Sequence, residues 1–122
     1  MGSAPADLAF AVDLFSGLGG VAARRMFGGA GLYADGVMFA LIDDEVIYLK
    51  VDEPLKADLA AAGARPWVYA PRRGPKAGIA IETSYWSLPD SACDDPDEAC
   101  GWGRRALAVA VTTNAAKRSR SI

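Results

Sequence analysis

The chain has 122 residues, 52% hydrophobic and 23% charged, the composition of one globular domain. Fifteen acids against thirteen bases argue against a dedicated nucleic-acid binder, which carries a strong basic excess. No stretch reaches the ~20 apolar residues of a membrane helix, no leader is visible, and two cysteines make no disulfide framework, so a cytoplasmic domain with no membrane association is expected.

The first helix is predicted over residues 4–16. Ser3 is its N-cap, Leu8, Ala11, Val12 and Phe15 recur at helical spacing, and Gly17 with Leu18 closes it. Residues 18–23 read as a connector. The stretch Arg24, Arg25, Met26, Phe27, Gly28, Gly29 then opens an apolar segment that ends in Asp35-Gly36, the strongest short-range hairpin signal. Glycines inside such a segment mark a bulge or a backbone passing close by.

Two more apolar runs follow, residues 37–42 and 46–51. A two-residue Asp35-Gly36 loop sets Leu32 opposite Phe39. For the next turn, a three-residue loop sets Leu41 opposite Ile47 and Phe39 opposite Leu49. That register gathers Leu32, Phe39, Leu41, Ile47, Leu49 and Val51 on one face, whereas a two-residue loop pairing Phe39 with Tyr48 mixes the faces. The three-residue register is therefore expected. It leaves Tyr33, Met38, Tyr48 and Lys50 on the other face.

Asp52 caps a second helix that Gly63 ends. Residues 67–70 and 79–85 read as two strands around a Pro/Gly loop that carries Arg72, Arg73 and Lys76. Asp95-Pro96-Asp97-Glu98 starts the last helix with an N-cap acid, proline at N1 and a capping-box glutamate; it runs to about residue 116. The order is α-β-β-β-α-β-β-α. This predicts a two-layer α+β fold, an antiparallel sheet of about five strands with helices on one face. It is a single domain over 1–122, ordered over about 4–117 with a frayed tail at 118–122.

The chain contains no histidine, which removes the commonest general base and any Ser-His-Asp or Cys-His arrangement. Cys93 and Cys100 lack the second pair of ligands a zinc site needs. Gly17-Leu18-Gly19-Gly20-Val21-Ala22 fits a dinucleotide fingerprint only formally, since a helix precedes it where a strand is required. The acidic groups 43–45 and 94–98 do turn and cap work and lack the alternating ligands of a calcium loop. No catalytic residue, metal or cofactor is expected. Exposed Tyr33, Met38 and Tyr48, with Lys50, have the composition of a protein-contact patch. Arg72, Arg73 and Lys76 near Trp67 and Tyr69 are the alternative, a weak nucleic-acid site.

RRMFGG, a D-G hairpin, GARPW, PKAG and YWSLP occur in that order, from about Leu8 to Lys117, and together the set resembles the TfoX N-terminal domain family, known from bacterial regulators of natural competence. The resemblance implies a small, stand-alone α+β domain with a regulatory or interaction role and no established catalytic residues. The expected partner is another protein or a second copy.

Overall fold

A computed structural model describes residues 5–26, 29–70, 74–75 and 77–120. Helix α1 spans Pro5–Leu14, and the Ser3 cap expected for it lies outside the described residues. A 3₁₀ turn, Ser16–Leu18, follows, and the left-handed residue that ends it is Gly19 (φ 80°) rather than Gly17. Gly17 instead lies against Cys100, since a Cβ there would stand 3.1 Å from Cys100 Sγ.

Among the described residues, six strands form one antiparallel sheet: β1 Val21–Met26, β2 Gly29–Ala34, β3 Val37–Asp43, β4 Val46–Lys50, β5 Pro66–Tyr69 and β6 Ile81–Ser87. Their spatial order is β1-β2-β3-β4-β6-β5. The α+β class and the antiparallel sheet are as expected, but the strand count is six. The extra strand is β1, read from sequence as connector plus strand start. Only Val21 in it is β-branched, and two adjacent arginines break any alternation, so its pairing with β2 is a tertiary effect.

Two predicted registers are corrected. Leu32 faces Ala40, because a bulge shifts the β2–β3 register at Leu32/Tyr33 and leaves Phe39 as the extra residue. Phe39 and Ala40 both point into the core, and Leu41 passes to the opposite face. Leu41 therefore pairs with Tyr48 and Asp43 with Val46, across the two-residue turn Asp44-Glu45. Both turn residues have positive φ (50° and 65°), the mirror-type turn whose twist suits a hairpin. Asp35 and Gly36 (49° and 81°) make the same turn between β2 and β3, as predicted.

Helix α2, Glu53–Ala61, is capped by Asp52, whose Oδ1 accepts the Leu55 N–H at 3.0 Å; Gly63 (φ 90°) ends it. Helix α3, Pro96–Arg120, is longer than predicted and is capped by Asp95 Oδ1, which accepts from the N–H groups of Asp97 and Glu98. Glu98 does not complete a capping box. Its carboxylate accepts from the Ser91 hydroxyl and the Trp102 indole. Ile79 lies outside β6 and is exposed.

All three helices pack on one face of the sheet. Ala11 and Leu14 of α1, Leu55 and Leu59 of α2, and Ala99, Ala106 and Ala110 of α3 close over Leu32, Phe39, Ile42 and Leu49. Phe15 meets Phe39 edge-on at 5.3 Å, and Gly103 makes room, since a Cβ there would fall 2.9 Å from the Phe15 ring. Among the described residues, the other face carries no helix.

Candidate functional site

The helix-free face is built by strand alternation. Arg24 and Met26 of β1, Gly31 and Tyr33 of β2, and Met38, Leu41 and Asp43 of β3 share it with Tyr48 and Lys50 of β4 and Tyr85 of β6. The four residues expected there, Tyr33, Met38, Tyr48 and Lys50, thus lie on one face. They do not have one role.

Tyr48 is buried, and so is Leu41 beside it. Trp67 reaches over from β5, packing on Tyr48 at 6.2 Å and edge-on to Tyr85 at 6.3 Å, while its indole N–H donates to Asp43 Oδ2 at 3.0 Å. A bulge between Pro66 and Val68 aims it. Thr83 fills that bulge, its hydroxyl donating to the Trp67 carbonyl at 2.9 Å and accepting the Tyr85 N–H. Burial, opposed by Arg65 and aided by Asp43 and Asp44, holds the Tyr48 phenol above its ordinary range. Burial and then Tyr33 do the same for Tyr85. This half of the face is a self-packed aromatic cluster, and Tyr48 supports it from beneath.

The other half is different. Gly31 leaves a hole in β2, and three flexible side-chain ends converge on it. A Cβ on Gly31 would meet Met26 Cε at 2.9 Å, Tyr33 Cε1 at 3.0 Å and Met38 Sδ at 3.2 Å. Arg24 lies over the Tyr33 ring at 5.7 Å, and Lys50 Nζ lies over Tyr85 at 5.2 Å while donating to Ser84 Oγ at 2.7 Å. The result is a methionine–tyrosine surface rimmed by cations. Unbranched thioethers repack readily against a partner, which suits contact surfaces.

Gly29 has the reverse surroundings. A Cβ there would sit 2.1 Å from the backbone oxygen of Ile42, so β3 presses on β2 where the sequence predicted a close approach. Phe27, Gly28, Arg72, Arg73 and Lys76 lie outside the described residues. Arg25 is exposed on the helix side of β1. Sequence reasoning missed Trp67 and Tyr85 as members of the face. Register across β4–β6 identifies Tyr85, but nothing local announces the reach of Trp67.

A cleft of about 410 Å³ opens at the other side of the sheet, where Phe10 stands half-exposed beside Val46, Arg65, Leu88 and Cys93. Partial burial, then Asp90, Asp94 and Glu98, push the Cys93 thiol up, away from the reactive thiolate. Among the described residues, no three or more His, Cys, Asp or Glu side chains group as metal ligands would, and no helix is long and apolar enough to cross a membrane.

Set against known families, the chain matches one described as the TfoX N-terminal domain, over residues 13–110. No curated protein matches it.

Proposed function

The chain belongs to the TfoX N-terminal domain family, and from that premise we propose that it is a non-enzymatic regulatory domain that works by binding another protein through the helix-free sheet face. The observation that carries this reading is the convergence of Met26, Met38 and Tyr33 over Gly31, with Arg24 and Lys50 at the rim. An apolar, repackable centre with a charged rim is how protein contacts are built. The free thiols of Cys93 and Cys100 fit a reducing cytoplasm.

Nucleic acid is the second reading, because aromatic rings beside cations also suit a single strand. It is disfavoured on two counts. Arg24 and Lys50 already cover the ring faces of Tyr33 and Tyr85 on which bases would stack, and the chain is net −2. Three phosphate contacts through Arg72, Arg73 and Lys76 would give a log–log salt slope of about −2 on single strands. A mainly apolar protein contact tolerates the same salt change.

The test is retention of cellular proteins by the immobilised domain at rising salt, comparing wild type with Met38→Glu and with Arg104→Glu on the exposed surface of α3. A partner lost in Met38→Glu and kept in Arg104→Glu at all salt concentrations supports the reading. Retention unchanged by Met38→Glu, or salt-sensitive binding to oligonucleotides abolished by Arg72→Ala with Arg73→Ala, overturns it.

A further inference from the structure

The two edges of the sheet are not equally protected. Strand β5 is four residues long, opens on Pro66 and carries a bulge, three devices that discourage further pairing. Strand β1 has none of them. Its six residues run without proline or register shift from Val21↔Ala34 to Met26↔Gly29.

The direction of its backbone groups follows from one bond. The Asp35 N–H donates to the Gly20 carbonyl at 3.2 Å, so the backbone of Gly20, and by alternation of Ala22 and Arg24, points toward β2. The N–H and C=O groups of Val21 and Ala23 then point outward, and among the described residues β1 ends the strand order. Charge is the usual guard of such an edge. Here Arg24 is drawn back over its own Tyr33, and the exposed Arg25 lies toward the strand's end, leaving Ala22 and Ala23 at the centre of the strand.

We propose that this edge takes a second copy of the chain, β1 pairing antiparallel with β1 about a two-fold axis at Ala23. The register is self-complementary. Ala23 faces its symmetry mate, Val21 faces Arg25, and Ala22 faces Arg24, so no like charges stand directly opposite, which is the arrangement a sheet requires. Each pair also shares a face, as a two-fold perpendicular to the sheet demands. The product is a continuous twelve-stranded sheet with both helix layers on one side. Both methionine–tyrosine surfaces then lie on the other side, so one dimer presents two contact surfaces and gains avidity for a bivalent partner. A single pairing of two six-residue strands is a small interface, of the class that gives weak association, so the dimer forms only at high protein concentration.

The inference rests on the strand order and not on the partner-binding role of the open face, so either can fail alone. Sedimentation equilibrium of the full chain from 5 to about 500 µM tests it, with two variants at the exposed position 22. The wild type is expected to rise from 12.8 kDa toward twice that mass. Ala22→Glu places a carboxylate opposite Arg24 twice per dimer and tightens association about three- to tenfold, while Ala22→Lys weakens it by a similar factor. Circular dichroism confirms that both variants fold. A monomer at every concentration overturns the proposal. So does a dimer on which Ala22→Glu and Ala22→Lys act alike, because that dimer uses another surface.

Discussion

Replacing Gly29 with alanine adds one methyl group where the β3 backbone presses on β2. The added Cβ would lie 2.1 Å from the Ile42 carbonyl oxygen and 3.2 Å from its carbon. A backbone oxygen in a sheet cannot rotate aside as a side chain does, so the strands themselves must separate. Overpacking of this kind costs about 1–3 kcal/mol, and the upper half of that range applies here because the obstacle is main chain. With an unfolding entropy of about 2.1 cal/mol/K per residue over 122 residues, roughly 0.26 kcal/mol/K, a 2–3 kcal/mol loss lowers Tm by about 8–12 °C. Gly31→Ala is the internal control. Its methyl meets only the ends of Met26, Tyr33 and Met38, which can move, so its cost is about 1 kcal/mol or less. Differential scanning calorimetry of both variants decides the matter. A Gly29→Ala protein melting within about 2 °C of wild type, or no lower than Gly31→Ala, refutes the close-approach reasoning.

Glu45 holds φ 65° at the second position of a mirror-type turn, where glycine is favoured, so Glu45→Gly should stabilise the protein by about 0.5–1 kcal/mol, read as a Tm rise of a few degrees. The raised phenols of Tyr48 and Tyr85 predict a loss of stability at alkaline pH. Folding favours their neutral forms, a contribution fully present below the ordinary tyrosine value of 10.0 and lost as pH rises through the higher folded-state values. Tm should therefore be flat with respect to these groups up to about pH 10 and fall beyond it. Absorbance titration, with Tyr→Phe variants to assign the signals, should show Tyr48 and Tyr85 ionising late, and ionisation of both at the ordinary value would contradict their packed arrangement.

The elements with local chemistry were legible in the sequence. Asp35-Gly36 forms its turn, Asp52 and Asp95 cap their helices, and Gly63 ends α2, because each depends on residues within four positions. The alternation that puts Tyr33, Met38, Tyr48 and Lys50 on one face was also readable. What could not be read depends on distant partners. Strand β1 exists because β2 pairs with it, not because Ala22-Ala23-Arg24-Arg25 favours a strand. The bulge at Phe39 moved Leu41 to the open face, and a reading that assumed unbroken alternation chose the register one residue off. Tyr48 looked like a contact residue because its face was read correctly but its cover was not. Its burial is decided by Trp67, nineteen positions away and two strands over.

The central claim is that Met26, Met38 and Tyr33 form the surface a protein partner touches. The chain has three methionines, Met1, Met26 and Met38, so a protein labelled with ¹³C at the methionine ε-methyl gives three signals that single substitutions assign. Titrating a partner retained by the wild-type domain but not by Met38→Glu should shift or broaden Met26 and Met38 and leave Met1 unchanged. A partner that binds while Met26 and Met38 stay unperturbed would contradict the account, as would an oligonucleotide that moves both signals at physiological salt.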